Sequence, residues 1–271
     1  EKERSQAIAY VSTALTLGNI IFPVLAGLAG VVHWRLAFSL YGLGIPLALL
    51  VLLTLPKKEA TTPAKESLSS ISGDSKKLSK VLKNPLILQL FLTLCLTSAT
   101  TYAVVIYLPV YLNTTINSGT LLNGIVLASQ AIGAAAISAF GVSKLTQNFG
   151  LILTTASGFG LMALALITIP QLSHLYGLLP ITILFGIGIG LVIPTLYNLL
   201  SNLTPSQLQS SILAAGTGAT FLGQFLCPTL FGLVVTHQGE IGVFYAAASL
   251  QLMLGLFLLA TSKAKIGLQP K

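Results

Sequence analysis

From Pro85 to Thr261 the chain carries only two charged side chains, Lys144 and Glu240. No water-facing surface can be built from so few, since a soluble domain holds about 25% Asp, Glu, Lys and Arg. Over all 271 residues the charged fraction is 7%, the hydrophobic fraction 54% and the mean hydropathy +0.88. These values exclude a soluble globular protein and put the chain in lipid. A bilayer core about 30 Å thick is crossed by roughly 20 apolar residues in a helix, and runs of that length recur here between short polar breaks. They predict eight spans, at about 7–31, 34–55, 85–112, 119–142, 150–170, 175–200, 207–235 and 241–261. The expected fold class is an all-α polytopic membrane protein.

Residues 56–84 interrupt the series. They begin PKKEATTPAKESLSSISGDSKK, rich in Ser, Thr and Lys, and read as a solvated linker. The chain then divides into 1–55 with two spans, the linker 56–84, 85–262 with six spans, and a tail, 263–271. In a soluble chain a net charge of +8 would suggest nucleic acid, but seven of the fourteen basic residues are the lysines from Lys57 to Lys83. Membrane topology accounts for them, and no nucleic-acid partner is expected. Residues 1–6 hold two more, the 143–149 loop one and the tail three, so only Arg35 lies on the opposite side. Both termini and the linker are therefore predicted cytoplasmic. Cys95 and Cys227 fall inside apolar runs and imply neither a disulfide framework nor a metal. No signal peptide precedes the first span, and the opening at Glu1, already running into a helix, reads as a truncation.

An internal repeat carries further information. Residues 4–30 align without a gap on residues 209–235, bringing Gly18, Pro23 and Gly27 onto Gly223, Pro228 and Gly232. Ser5 and Ser210, Ala9 and Ala214, Leu17 and Leu222, and Leu25 and Leu230 also coincide. Two copies in one direction fit a transporter built from parallel repeats. The second copy is the fifth of the six spans after the linker. The first should then also be a fifth span, preceded by four helices and about 120 residues.

In these residues the chain resembles the major facilitator superfamily of secondary transporters, over all eight spans as helices five to twelve of twelve. The resemblance rests on ERSQAIAYVSTALTLGNIIFPVLAG with the HWRLAF turn after it, on FGIGIGLVIP, and on KLTQNFG at 144–150. The last is similar to the family's R-L-x-D-R-x-G loop, with Gln147 and Asn148 in place of its acid and base. The family's antiporter motif G-x-x-x-G-P-x-x-G-G is matched at Gly18, Pro23 and Gly27, with Phe22 and Ala26 at its other glycines. The resemblance implies a twelve-helix fold of two parallel six-helix halves, monomeric when complete, in the bacterial inner membrane.

Gly18, Gly27, Gly223 and Gly232, with Gly186, Gly188 and Gly190, read first as sites of close helix packing, because small residues let backbones approach in lipid. Pro23, Pro194 and Pro228 lack a backbone donor and read as hinge positions. The glycines of the FGIGIG run have no preceding strand, so they make no phosphate loop. Asn19, Gln130 and Gln224 lie near the centres of their spans, where an unsatisfied polar group is costly, and Asn19 and Gln224 are repeat mates. They either bond between helices or line a cavity and bind a largely neutral substrate. Tyr102 and Tyr107, with Thr100 and Thr101, read as a polar and aromatic strip suited to an amphipathic ligand, and Tyr111 as part of an interfacial aromatic belt.

Deep in the eight spans there is no Asp, Glu, Lys, Arg or His. A proton or sodium coupling residue would then belong to the helices expected upstream, or transport is uncoupled. No Ser-His pair, carboxylate pair or metal cluster shares a depth, so no enzyme, cofactor or metal is expected. The function read from the chain is alternating-access transport of small molecules, with drug or metabolite efflux by proton antiport implied by the resemblance. Uptake of a neutral solute such as a sugar is the alternative within transport. A truncated, inactive remnant or a membrane interaction module is the alternative of another class.

Overall fold

A computed structural model describes residues 2–54, 81–172 and 174–266. Most of the Lys-rich linker and the tail from 267 lie outside the described residues, as do the side chains of Ser5 and Ala9 at the start of the repeat. Among the described residues every regular element is helical. That is the architecture the composition demands, because a helix satisfies its own backbone groups within one segment and needs no water to do so.

The first helix, α1, is Lys2–Val32. After His33 come α2 (Trp34–Ser39), a 3-10 turn over Leu40–Leu43, and α3 (Gly44–Thr54), which together form one apolar segment, Trp34–Thr54. Beyond the linker follow α4 (Pro85–Ile116), α5 (Thr120–Phe140), α6 (Val142–Thr168), α7 (Leu175–Asn202) and α8 (Gln209–Ile266). Local chemistry explains the ends. Asn84 caps α4 by accepting the Leu86 N–H at 3.1 Å, and Pro85 sits in the first turn, where a missing donor costs nothing. Asn117 closes the same helix in the left-handed conformation, φ 48°.

Two helices run through a break. Residues 143–149, expected as a loop, are helical, and the chain turns at Gly150 with φ 79° and ψ 164°. The apolar segment Ser206–Thr261 has 56 residues, which at helical rise is roughly 84 Å, more than twice a bilayer core. It is broken at Gly239, φ 67° and ψ −170°, into arms 209–238 and 240–266. Among the described residues six helical segments are long and apolar enough to cross a membrane, with a shorter apolar stretch at Leu17–Val32, and the break at Gly239 stands where sequence placed the loop before the last span.

The core lies within residues 85–266, where Leu94, Leu108, Phe159, Phe185, Leu196 and Phe244 are fully buried. There α4 packs on α8, and α7 packs on α5 and α6, while α1 is joined to this group through α5. Neither α2 nor α3 has a buried residue, and Trp34, Tyr41 and Leu52 are exposed, an apolar surface suited to lipid. Tyr111 departs from the expected aromatic belt. It is 5% exposed, its hydroxyl donates to the Pro170 carbonyl at 3.1 Å, and its ring meets Phe244 edge to face at 5.5 Å. The Pro170 carbonyl, in the 3-10 turn that follows α6, needs a donor, and the buried phenol supplies it.

Candidate functional site

Close backbone approaches position the helices around the site. A Cβ on Gly186 would lie 1.9 Å from the Gln130 carbonyl oxygen, one on Gly190 2.5 Å from that of Ala134, and one on Gly133 2.2 Å from that of Ile183. Helices α5 and α7 therefore touch backbone to backbone. Ser138 Oγ donates to the Gly190 carbonyl at 3.2 Å, and the Ser129 and Thr182 hydroxyls are 2.6 Å apart. The opposite side of α5 meets α1 in the same manner. A Cβ on Gly124 would come 2.3 Å from the Pro23 carbonyl oxygen, and one on Gly27 2.8 Å from that of Thr120. Thr120 Oγ1 donates to the Gly27 carbonyl at 3.1 Å. Lipid supplies no hydrophobic drive between helices, so such close contact and its hydrogen bonds hold the seam.

The repeat's glycines are used unequally. Gly223 packs as Gly27 does, its hypothetical Cβ 1.9 Å from the Cys95 carbonyl oxygen on α4, and a Cβ on Gly188 would lie 2.8 Å from the Gly158 carbonyl oxygen of α6. By contrast Gly18 meets only its own Phe22 ring, at 3.6 Å, and Gly232 meets nothing within 4 Å. Each copy has different neighbours, so aligned glycines need not share a packing role. Pro23, Pro194 and Pro228 all lie inside helices.

Two clefts share a wall at Asn19, which is exposed on α1. One, of about 720 Å³, is bounded by Gly18, Phe22, Pro23, Ala26 and Leu127. The other, of about 700 Å³, lies between Ile20 of α1, Ala131 and Ser138 of α5, and Ile189 and Ile193 of α7. Their lining side chains are apolar except for Asn19 and Ser138, and the Ser138 hydroxyl is engaged with Gly190. Gln130 is half-buried on α5, within the stretch between Leu127 and Ala131 that borders both clefts. Its Oε1 is buried without a hydrogen-bond partner among the described residues.

Tyr102, Tyr107 and Gln224 lie elsewhere, on α4 and the first arm of α8. Gln224 is half-buried next to the Gly223 contact, Tyr107 is half-buried against the core, and Tyr102 is 37% exposed. The five candidate residues thus divide, with Asn19 on the cleft wall of α1, Gln130 on α5 with its backbone against Gly186 of α7, and the other three on α4 and the first arm of α8. The expected strip on α4 is also divided. Thr100 is fully buried while Tyr102 is exposed, because successive helical residues point about 100° apart.

Sequence reasoning missed Gln251. It is fully buried in the second arm of α8, where its amide nitrogen donates to Thr100 Oγ1. Gln251 sits at the centre of the 241–261 span, so the mid-depth criterion that selected the other three amides would have found it.

Comparison with known proteins places this arrangement in one family. A family model described as the Major Facilitator Superfamily matches residues 1–228, a stretch that includes α1, α5 and α7 and with them both clefts. No curated protein matches the chain.

Proposed function

The chain belongs to the major facilitator superfamily, a family of secondary transporters of small molecules rather than of enzymes, and from that membership we propose that it exports lipophilic or neutral compounds by proton antiport. The observation that carries this reading is the pair of clefts meeting at Asn19, apolar but for that amide and Ser138. An apolar wall with a single orienting polar group suits a neutral, amphipathic solute. Asn19 and Gln130 are the proposed contacts on one side, and Tyr102, Tyr107 and Gln224 those on the other. Alternating access would rock the bundles about the α1/α5 seam. Export is favoured by the resemblance of Gly18, Pro23 and Gly27 to the antiporter motif. The proposed setting is the bacterial inner membrane, as a monomer, with both termini and the linker cytoplasmic. That orientation is supported by the thirteen of fourteen basic residues assigned to one side.

Dye accumulation in cells expressing the protein tests the reading. Accumulation is expected to fall and to recover with an uncoupler, and Asn19→Leu is expected to abolish the difference while the amount of protein in the membrane stays the same. Accumulation that rises on expression would instead mark uptake, and a fall that the uncoupler leaves unchanged would exclude proton antiport. Unaltered export by Asn19→Leu would remove that amide from the site.

A further inference from the structure

Helix α4 and the second arm of α8 run antiparallel along a shared seam. Gln89 Nε2 donates to Thr261 Oγ1 at 3.1 Å, the Gln251 amide donates to Thr100 Oγ1, and Tyr111 meets Phe244 at 5.5 Å. Between the first two links the seam is polar and closed to solvent. Thr93 is 2% exposed, and Thr97, Thr100 and Gln251 are all 0% exposed. Two atoms in this cluster are unpaired. Thr97 Oγ1 and Gln251 Oε1 are buried and have no hydrogen-bond partner among the described residues.

The neighbouring threonines show what is unusual about Thr97. A helical threonine commonly donates to the carbonyl four residues back, as Thr93 does to Gln89 at 2.8 Å and Thr101 does to Thr97 at 2.9 Å. Thr97 makes no such bond, while its own carbonyl also accepts the Thr100 hydroxyl at 2.8 Å. The unmet groups are complementary in kind, since an amide oxygen only accepts and a hydroxyl both donates and accepts. Chain position links them. Thr97 is one helical turn from Thr100, and Thr100 holds the other end of the Gln251 amide. An unpaired amide carbonyl on a side chain that is 0% exposed is costly.

We propose that Thr97, Thr100 and Gln251 enclose a binding site for a single internal water molecule, which donates to Gln251 Oε1 and accepts the Thr97 hydroxyl proton. The ligand is neutral, because neither Pro85–Ile116 nor residues 241–261 carry a charged side chain, and a water supplies both the donor and the acceptor that the two groups need. A buried water ordinarily makes two to four hydrogen bonds to groups that would otherwise be unsatisfied, and two such groups wait here. A metal cation is disfavoured, because it would need about six oxygen ligands and the Thr97 carbonyl is already engaged. This site is separate from the clefts at Asn19 and does not depend on the transported compound.

Two measurements on the protein test it. In a density map at water-resolving resolution, in lipid nanodiscs, a rounded peak is expected about 2.6–3.2 Å from both Thr97 Oγ1 and Gln251 Oε1. Direct contact of those two atoms with no peak, or a peak ringed by five or more oxygens as a cation would be, overturns the proposal. In thermal unfolding in detergent, Thr97→Val and Gln251→Leu are each expected to lower the midpoint by about 2–4 °C. The double variant should fall no further than the worse single one, because the site is then apolar throughout. Thr97→Ser, which keeps the hydroxyl, should unfold like the parent protein. Additive losses in the double variant, or a Thr97→Ser loss equal to that of Thr97→Val, would overturn the proposal.

Discussion

At Gly150 and Gly239 the backbone takes φ values of 79° and 67°, in combination with extended ψ, a region that only glycine occupies without strain. Gly239 marks where one long apolar arm hands over to another, and Gly150 where the short polar 142–149 stretch hands over to one. An alanine at Gly239 should therefore lower stability by about 1–3 kcal/mol, read as a lower unfolding midpoint in detergent. Gly160→Ala is the matched comparison, because it lies in regular helix with nothing within 4 Å of an added Cβ. It should leave the midpoint unchanged or raise it, given that alanine favours helix by about 1 kcal/mol over glycine. Equal losses at both positions would mean that backbone conformation is not what Gly239 provides. The mid-span amides make a related point. Asn19 and Gln251 look alike in sequence, each a lone amide in an apolar run, yet one is exposed on a cleft wall and the other is fully buried against Thr100.

For whole helices the decisive quantity is the distance at which their backbones cross. Gly124 lets α5 approach α1 so closely that an added Cβ would sit 2.3 Å from the Pro23 carbonyl oxygen. Backbone is the obstacle there, so no side-chain rotation relieves it. Gly124→Ala should force the helices apart, break the bond from Thr120 to Gly27, and destabilise the protein by about 1–3 kcal/mol. Gly218→Ala, with nothing within 4 Å, should not. Thermal unfolding of the two variants separates the cases, and equal midpoints would show that the α1/α5 seam contributes no stability. Helix existence was legible from apolar run length. The helicity of 143–149 was not, since the polar KLTQNFG stretch has a loop's composition, while only Gly150 within it has a backbone that leaves the helix.

Taken as a whole, the molecule has its buried core in residues 85–266, while the Trp34–Thr54 segment contributes no buried side chain. Charge, more than packing, is expected to orient the assembly in the bilayer. Trypsin applied to inside-out membrane vesicles should cut among the lysines from Lys57 to Lys83, and right-side-out vesicles should protect them, leaving Arg35 as the accessible basic residue. Fragment masses check this, and the reverse pattern would invert the proposed topology. The sequence by itself determined the class, the helical spans and their order, and the expected orientation. It could do so because hydrocarbon admits only segments that satisfy their own hydrogen bonds, a condition set by local composition and length. Tertiary structure decided which glycines mate, that Tyr111 is core rather than belt, that Asn19 faces a cleft and that Gln251 is sealed with Thr97. A helix in lipid is apolar all round, so its lipid face and its packing face are hardly distinguished by hydrophobic periodicity. Partners are chosen instead by close backbone fit and by hydrogen bonds between helices distant in the chain.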